Sequence, residues 1–244
     1  MNGTVATEVL TRMRAQQNDP IPAHRQSGFT LIEMLIVTTL IGVVAGVAVP
    51  NLLSSRLTAN EAAVIANLRA ISTAQFQFQS SGELDTNGDA GFEYGTLGEL
   101  AAIDGLRSGA GPLSRNLLSK SVATVDANGW ATHHGYHFAL FLPDASGVGV
   151  VGLAANAASF DPLNSHRFWT CVAWPVQNGV TGKRAFFVNQ QGQVLACGES
   201  GYSGSTAVPA AGAGLVGSDP NRIDSQRLAG NTLGADGNQW LLVH

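Results

Sequence analysis

The chain has 244 residues, and 45% of them are hydrophobic, which is enough to bury a sizeable core in one large domain or two small ones. The formal net charge is −4 and no run of Lys or Arg occurs, which excludes the electrostatic pattern of a nucleic-acid-binding protein. Charged residues make up only 12% of the chain and 29 residues are glycine, a composition that suits an envelope or extracellular protein.

The first predicted elements are a polar segment, residues 1–28, and an apolar segment, residues 29–49, that carries a single charge. As a helix rising about 1.5 Å per residue, the apolar segment spans about 30 Å, the thickness of the hydrocarbon core of a bilayer. Basic side chains outnumber acidic ones in the polar segment. The positive-inside rule therefore predicts a cytoplasmic leader peptide, a transmembrane helix, and an outward-facing remainder.

A carboxylate, Glu33, lies inside the apolar segment. Such a group is costly in lipid unless it finds a partner, and no residue within one helical turn carries a positive charge. Hydrolysis between Gly28 and Phe29 would create an α-ammonium group at Phe29, at the membrane depth of Glu33 in an adjacent copy. A buried pair of this kind contributes little net stability but penalises a wrong register.

The start of the apolar segment combines Gly28, the sequence FTLIE at residues 29–33, and an apolar stretch with Pro50 near its end. This combination resembles the cleavage and methylation signal of type IV pilins and type II secretion pseudopilins, the major pseudopilins included. The resemblance implies that a prepilin peptidase cuts after Gly28 and methylates the new N-terminal Phe29. It implies that Glu33 guides assembly with other pilin or pseudopilin subunits into a filament. Further implied partners are an inner-membrane platform protein and a cytoplasmic assembly ATPase. The implied location is the bacterial inner membrane, single-pass, with a periplasmic or extracellular head.

Other interpretations of the N-terminus explain less of it. An ordinary secretory signal has suitable small residues at 46–48, but a long polar lead-in and Glu33 are atypical of one. A plain membrane anchor leaves Glu33 unexplained. The alternative function is accordingly a membrane-anchored extracytoplasmic binding domain with no filament role, in which a sheet rich in His and Trp binds the ligand.

Residues 50–81 are predicted as an amphipathic continuation of the membrane helix, because glycine and proline are absent from residue 51 to residue 81. Apolar side chains fall on one helical stripe, at Leu53, Leu57, Val64, Leu68, Ile71 and Phe78. Pro50 lacks a backbone donor, and it predicts a kink or local melting near residues 46–50. The second half of the helix should pack one face against a globular head.

Residues 82–134 are predicted to be rich in loops. Asp85, Asn87 and Asp89 stand at alternate positions, as in the first half of a calcium-binding loop. The sixth position is not glycine and the twelfth is not glutamate, so a polar turn is the favoured interpretation and calcium the alternative. The sequence predicts no other cofactor.

Residues 135–199 change to short runs of aromatic and β-branched residues separated by turn residues, which predicts an antiparallel β-sheet. Residues 200–244 are rich in Gly, Ala and Ser, and predict a loop or partly disordered arm with a possible terminal strand. The fold class is therefore α+β and pilin-like, with a long N-terminal helix whose amphipathic half packs on a small antiparallel sheet.

The two cysteines, Cys171 and Cys197, lack the spacing of a zinc site. In an exported domain they are candidates for a disulfide, provided that their Cα atoms approach within about 7 Å, and otherwise for buried thiols.

Four histidines invite a metal or catalytic interpretation, namely His133, His134, His137 and His166. No carboxylate stands beside them as a further ligand or base, and a nucleophile pair of Cys171 with His166 is disfavoured by strand alternation. Phosphate-binding glycine loops are missing as well. The histidines are predicted to be surface or half-buried side chains, and the protein is predicted not to be an enzyme.

Overall fold

The computed structural model describes residues 28–198 and 200–243. The chain divides into two compact units, Met1–Ala48 and Val49–His244. The predicted leader peptide lies outside the described residues, except for Gly28.

A single helix, α1, runs from Leu31 to Ser81 and is 51 residues long. The Thr30 hydroxyl caps its first turn by accepting the Glu33 backbone amide at 3.2 Å. The helix ends at Ser81 and is followed by Gly82, whose φ of 69° is the left-handed conformation common just after a helix. Pro50 lies inside the helix without interrupting it, so the local melting expected there is not observed, and the kink stays a prediction.

The predicted apolar stripe of α1 becomes buried from Val64 onward. Val64, Leu68, Ile71 and Phe78 are all fully buried, whereas Leu53 remains exposed. These four positions repeat at helical spacing, so they form one face of α1 that packs into the head.

The remaining elements of the described chain are short. The helical ones are α2, Leu97–Leu100; α3, Lys120–Ala123; a 3₁₀ helix, Ala154–Ser159; and α4, Pro162–Ser165. The strands are β1, Trp130–His133; β2, Tyr136–Pro143; β3, Gly149–Val151; β4, Thr170–Pro175; β5, Ala185–Asn189; β6, Leu195–Cys197; β7, Thr232–Leu233; and β8, Gln239–Leu242. Among the described residues they form one sheet in the order β1-β2-β4-β5-β6-β8-β7, with β3 paired to β2. Every pairing is antiparallel, which confirms the predicted α+β fold.

The central strands of the sheet are buried on both faces. Successive side chains along each of these strands point alternately into two cores, one on each side of the sheet. In β5, Phe186 and Val188 face an inner core that includes the buried stripe of α1. Ala185 and Phe187 face the opposite side and belong to an outer core. All five residues of β5 are accordingly buried, a pattern expected of a strand that is covered on both sides.

The outer core is covered by the segment rich in glycine and alanine that follows residue 200. This segment contributes buried side chains at Ala211, Ala213, Leu215, Ile223 and Ala229, together with Trp240 of β8. A Cβ atom added to Gly214 would lie 2.5 Å from the Phe187 ring, so the small residues permit a close approach to the sheet. The predicted arm is thus a loop, and it packs as part of the head.

Candidate functional sites

The predicted cleavage site lies just before the helix. Gly28, Phe29 and Thr30 are not helical and are exposed, and the Phe29 side chain is 75% exposed. A protease requires an accessible, non-helical peptide, because a helical bond is held by backbone hydrogen bonds. The bond between Gly28 and Phe29 meets that requirement.

Glu33 lies in the first turn of α1 and is exposed. A carboxylate is favourable there, because the backbone amides of the first turn carry the positive end of the helix dipole. The ion pairs found among the described residues do not include Glu33.

The first part of α1 is apolar around its full circumference. Its large hydrophobic side chains are exposed from Leu31 to Val49. Within the described residues, α1 is the one helix long and apolar enough to cross a membrane, and its most apolar window is 0% buried in the structure. A helix that is apolar all round requires lipid or other apolar helices around it.

The loop with the calcium candidates has the hydrogen bonds of a polar turn. Asp85 accepts the backbone amides of Gly88 at 2.7 Å and Ala90 at 3.0 Å, and Asp89 accepts the amide of Gly91 at 2.7 Å. The Gly91 amide, and then the Asn87 side chain, lower the pKa of Asp89. No group of three or more His, Cys, Asp or Glu side chains that could hold a metal ion occurs in the part of the chain that the structure describes. These contacts agree with the polar turn that the sequence favoured, and calcium binding stays a prediction.

Three of the histidines lie at the hairpin of β1 and β2, where the rings of His133 and His134 pack edge to face with centroids 4.0 Å apart. His133 ends β1 and His137 lies in β2, and the turn between them holds His134 at a φ of 48°. The His133 ring lies 3.1 Å from the Asn67 amide, and the His137 ring lies 2.9 Å from the Thr132 hydroxyl. Burial lowers the pKa of His137, because it disfavours the charged ring.

Cys171 is not placed to act as a nucleophile with His166. Cys171 is fully buried in the inner core, whereas His166 is exposed at the end of α4. Burial raises the pKa of the Cys171 thiol, so the thiolate required of a nucleophile is disfavoured.

The geometry does not favour the disulfide candidate Cys171–Cys197, because the two side chains belong to cores on opposite faces of the sheet. Cys171 on β4 pairs with Val188 of β5 and belongs to the inner core. Cys197 on β6 pairs with Ala185 of β5 and belongs to the outer core. Strand β5 lies between β4 and β6. The two Cα atoms are therefore at least two strand spacings apart, about 9.6 Å, which exceeds the limit of about 7 Å for a disulfide.

Sequence patterns missed the buried polar side chains that connect α1 to the head. Gln75 is fully buried and exchanges two hydrogen bonds with the Gly95 backbone, at 2.7 and 2.9 Å. Glu61 accepts the Lys183 backbone amide at 3.0 Å and the Arg184 guanidinium at 2.7 Å. Both residues interrupt the apolar stripe, and an interruption by itself does not reveal whether a polar side chain is buried.

Three features define a pilin-type protein: an exposed, non-helical segment before α1, a carboxylate in the first turn of a helix whose first part is apolar, and an antiparallel sheet packed on the second part of that helix. A family model described as "Prokaryotic N-terminal methylation motif" matches residues 23–49. A second family model, "Protein of unknown function (DUF2950)", matches residues 45–206, which is more than half of the chain. The chain therefore belongs to the DUF2950 family, and its N-terminal segment is that of a pilin or pseudopilin.

Curated relatives fall into two classes. The chain is 36% identical over 98 residues to the type IV major pilin protein PilA of Myxococcus xanthus, covering 40% of this chain and 42% of that protein. It is 43% identical over 60 residues to the type IV wide pilus major component PilA4 of Thermus thermophilus, covering 25% of this chain and 43% of that protein. It is 36% identical over 51 residues to the type II secretion system core protein G of Aeromonas hydrophila, covering 21% of this chain and 36% of that protein.

The matched regions therefore span less than half of the length of these relatives. No solved structure matches the chain.

Proposed function

We propose that the chain is a structural subunit of a pilin-like filament, either a type II secretion pseudopilus or a type IV pilus. The observation that carries the proposal is the first part of α1, which is apolar and exposed. Glu33 lies in its first turn, and the exposed, non-helical residues 28–30 directly precede it. The names of the relatives support both filament classes equally.

Before assembly, the chain crosses the bacterial inner membrane once, with its leader in the cytoplasm and its head in the periplasm or outside the cell. The apolar part of α1 is long enough for this single span. Prepilin peptidase cuts between Gly28 and Phe29 and methylates the new amino group of Phe29. In this step the chain is the substrate of an enzyme, and its own role is structural.

Assembly transfers the apolar helix from lipid to a bundle of identical helices. The Glu33 carboxylate then meets the Phe29 ammonium group of a neighbouring subunit. Because an unpaired charge in an apolar bundle is strongly unfavourable, only the register that pairs these two groups is populated. An inner-membrane platform protein and a cytoplasmic ATPase supply the support and the work for extraction.

The N-terminus of the protein from native membranes tests the processing step. Edman sequencing and intact mass should give a chain that begins at N-methylated Phe29. A chain that still begins at Met1, or one that begins at Val49, would contradict pilin processing and favour an anchored or secreted binding domain.

Variants of two exposed carboxylates test the assembly step separately. Glu33→Gln removes the charge from the apolar helix, and Glu83→Gln removes one from the loop after α1. We expect both variants to insert and to be cleaved, and only Glu33→Gln to disappear from sheared filament fractions. Equal incorporation of the two variants would refute the role of Glu33 while leaving the processing step intact.

A further inference from the structure

An open groove lies in the head between α1 and the turn that connects β5 to β6. Its volume is about 300 Å³, and the turn contributes Gln190 at one wall. Helix α1 contributes Ser72, Thr73 and Phe76, and the aromatic rings of Tyr94 and Trp169 also line the groove. The size is at the lower end of the range for small-ligand sites, which are typically about 300–1,000 Å³.

The lining is neutral. None of the side chains that form the groove carries a charge at neutral pH, since they are aromatic rings, hydroxyls and amides. Burial also raises the pKa of Tyr94, which keeps its phenol protonated. A charged ligand would have to give up its hydration without gaining an ion pair, so the groove selects a neutral one.

Gln190 provides an unused donor and an unused acceptor at the wall. Both polar atoms of its side-chain amide are buried, and neither has a hydrogen-bond partner among the described residues. Buried polar atoms of folded proteins are nearly always bonded, so an amide with both ends unsatisfied has bonding capacity left for a group from outside the chain. The last torsion of a glutamine side chain is soft, which lets the amide turn toward such a partner. A hydroxyl group both donates and accepts, and it matches this amide.

Aromatic rings supply the other half of the recognition. Tyr94 and Trp169 pack edge to face, with ring centroids 6.2 Å apart. Phe76 stands at the rim and is 69% exposed, although it is a large aromatic residue. Aromatic faces pack well against flat apolar surfaces, and the ring of a sugar offers such a surface of C–H groups together with hydroxyls at its edge.

We propose that this groove is a binding site for a neutral saccharide, with its ring against Phe76 and one hydroxyl bonded to the Gln190 amide. All residues that line the groove belong to the compact unit Val49–His244, and the site does not depend on the filament role. The saccharide is either a free sugar or the end of a glycan chain, since both present the same ring and hydroxyls.

Isothermal titration calorimetry of the full chain in lipid nanodiscs tests the proposal, because nanodiscs avoid detergents with sugar head groups. The probes are maltotriose, lactose, chitotriose and mannobiose, with sorbitol as an acyclic control that has hydroxyls but no ring. We expect at least one saccharide to bind with a dissociation constant of about 1 mM or tighter, and sorbitol not to bind. The proposal would be overturned if none of the four saccharides bound with a dissociation constant below about 20 mM. It would also be overturned if sorbitol bound as tightly as the saccharides.

Three variants connect the binding to the groove. Phe76→Ala should weaken saccharide binding by at least about tenfold, and Gln77→Ala, the exposed neighbour outside the groove, should not change it. Gln190→Leu should raise the Tm of the unliganded protein by a few degrees, since it removes an unsatisfied amide, and should also weaken binding. Unchanged binding in both groove variants would overturn the assignment. If Phe76→Ala instead abolished filament assembly while the wild-type protein bound no saccharide, the groove would belong to a contact between subunits.

Discussion

Gln75 is the position where a single substitution should most directly reveal what attaches α1 to the head. Its Nε2 donates to the Gly95 carbonyl at 2.7 Å, and its Oε1 accepts the Gly95 amide at 2.9 Å. Both residues are buried, so water does not replace either bond when the side chain is removed. Gln75→Leu preserves the approximate size of the side chain and the helix propensity, and it leaves two backbone groups unsatisfied.

The expected cost follows from those two groups. A buried backbone donor or acceptor left without a partner costs about 1–3 kcal/mol, and the leucine recovers part of that by burying apolar surface. We therefore expect a net loss of about 2–4 kcal/mol, which lowers the Tm of a domain of this size by about 4–16 °C. Near-UV circular dichroism of the full chain in nanodiscs measures this, because it reports the packing of the head and not the helix content.

Two further variants separate the hydrogen bonds from other effects. Gln77→Leu, an exposed change on the same helix, should alter stability by no more than about 0.5 kcal/mol. Gln75→Glu retains the acceptor but buries a charge, so it should be strongly destabilised at neutral pH and partly recover at acidic pH, where the protonated acid can donate to Gly95. A Gln75→Leu protein as stable as Gln77→Leu would refute the reasoning.

Other substitutions probe the rest of the head. A Cβ atom at Gly182 would lie 1.8 Å from the Tyr136 hydroxyl, so Gly182→Ala should cost about 1–3 kcal/mol in chemical denaturation; no loss would contradict this close approach. Trp240 is fully buried, with its ring 6.0 Å from that of Phe187. Trp240→Ala should therefore cost about 3–5 kcal/mol, whereas a loosely attached C-terminal segment would show almost no change. The lowered pKa of His137 means that the unfolded chain binds protons first as the pH falls through the ordinary value of 6.5. Stability should thus decrease with falling pH in that range, and the decrease in Tm should be smaller in His137→Gln; an identical pH profile would contradict the assignment.

Local patterns in the sequence were sufficient for the elements whose cause is local. The apolar run with one carboxylate indicated the pilin-type N-terminus, and the FTLIE motif at residues 29–33 agrees with the matched methylation model. The period of the apolar residues predicted the helix to residue 81, and the aromatic runs predicted strands β2, β4, β5 and β6. These signals depend on a few consecutive residues and on the backbone geometry that they favour.

Tertiary packing alone decided which side of each element is buried and by what. The sequence contains no sign that Cys171 and Cys197 face different cores, because that depends on the pairing register of three strands. It likewise does not show that the glycine- and alanine-rich segment around Gly214 covers the outer face of the sheet. A composition of small residues fits a disordered arm and a tightly packed loop equally well, because both require residues without bulky side chains. Only the surface of the sheet against which the segment packs distinguishes the two.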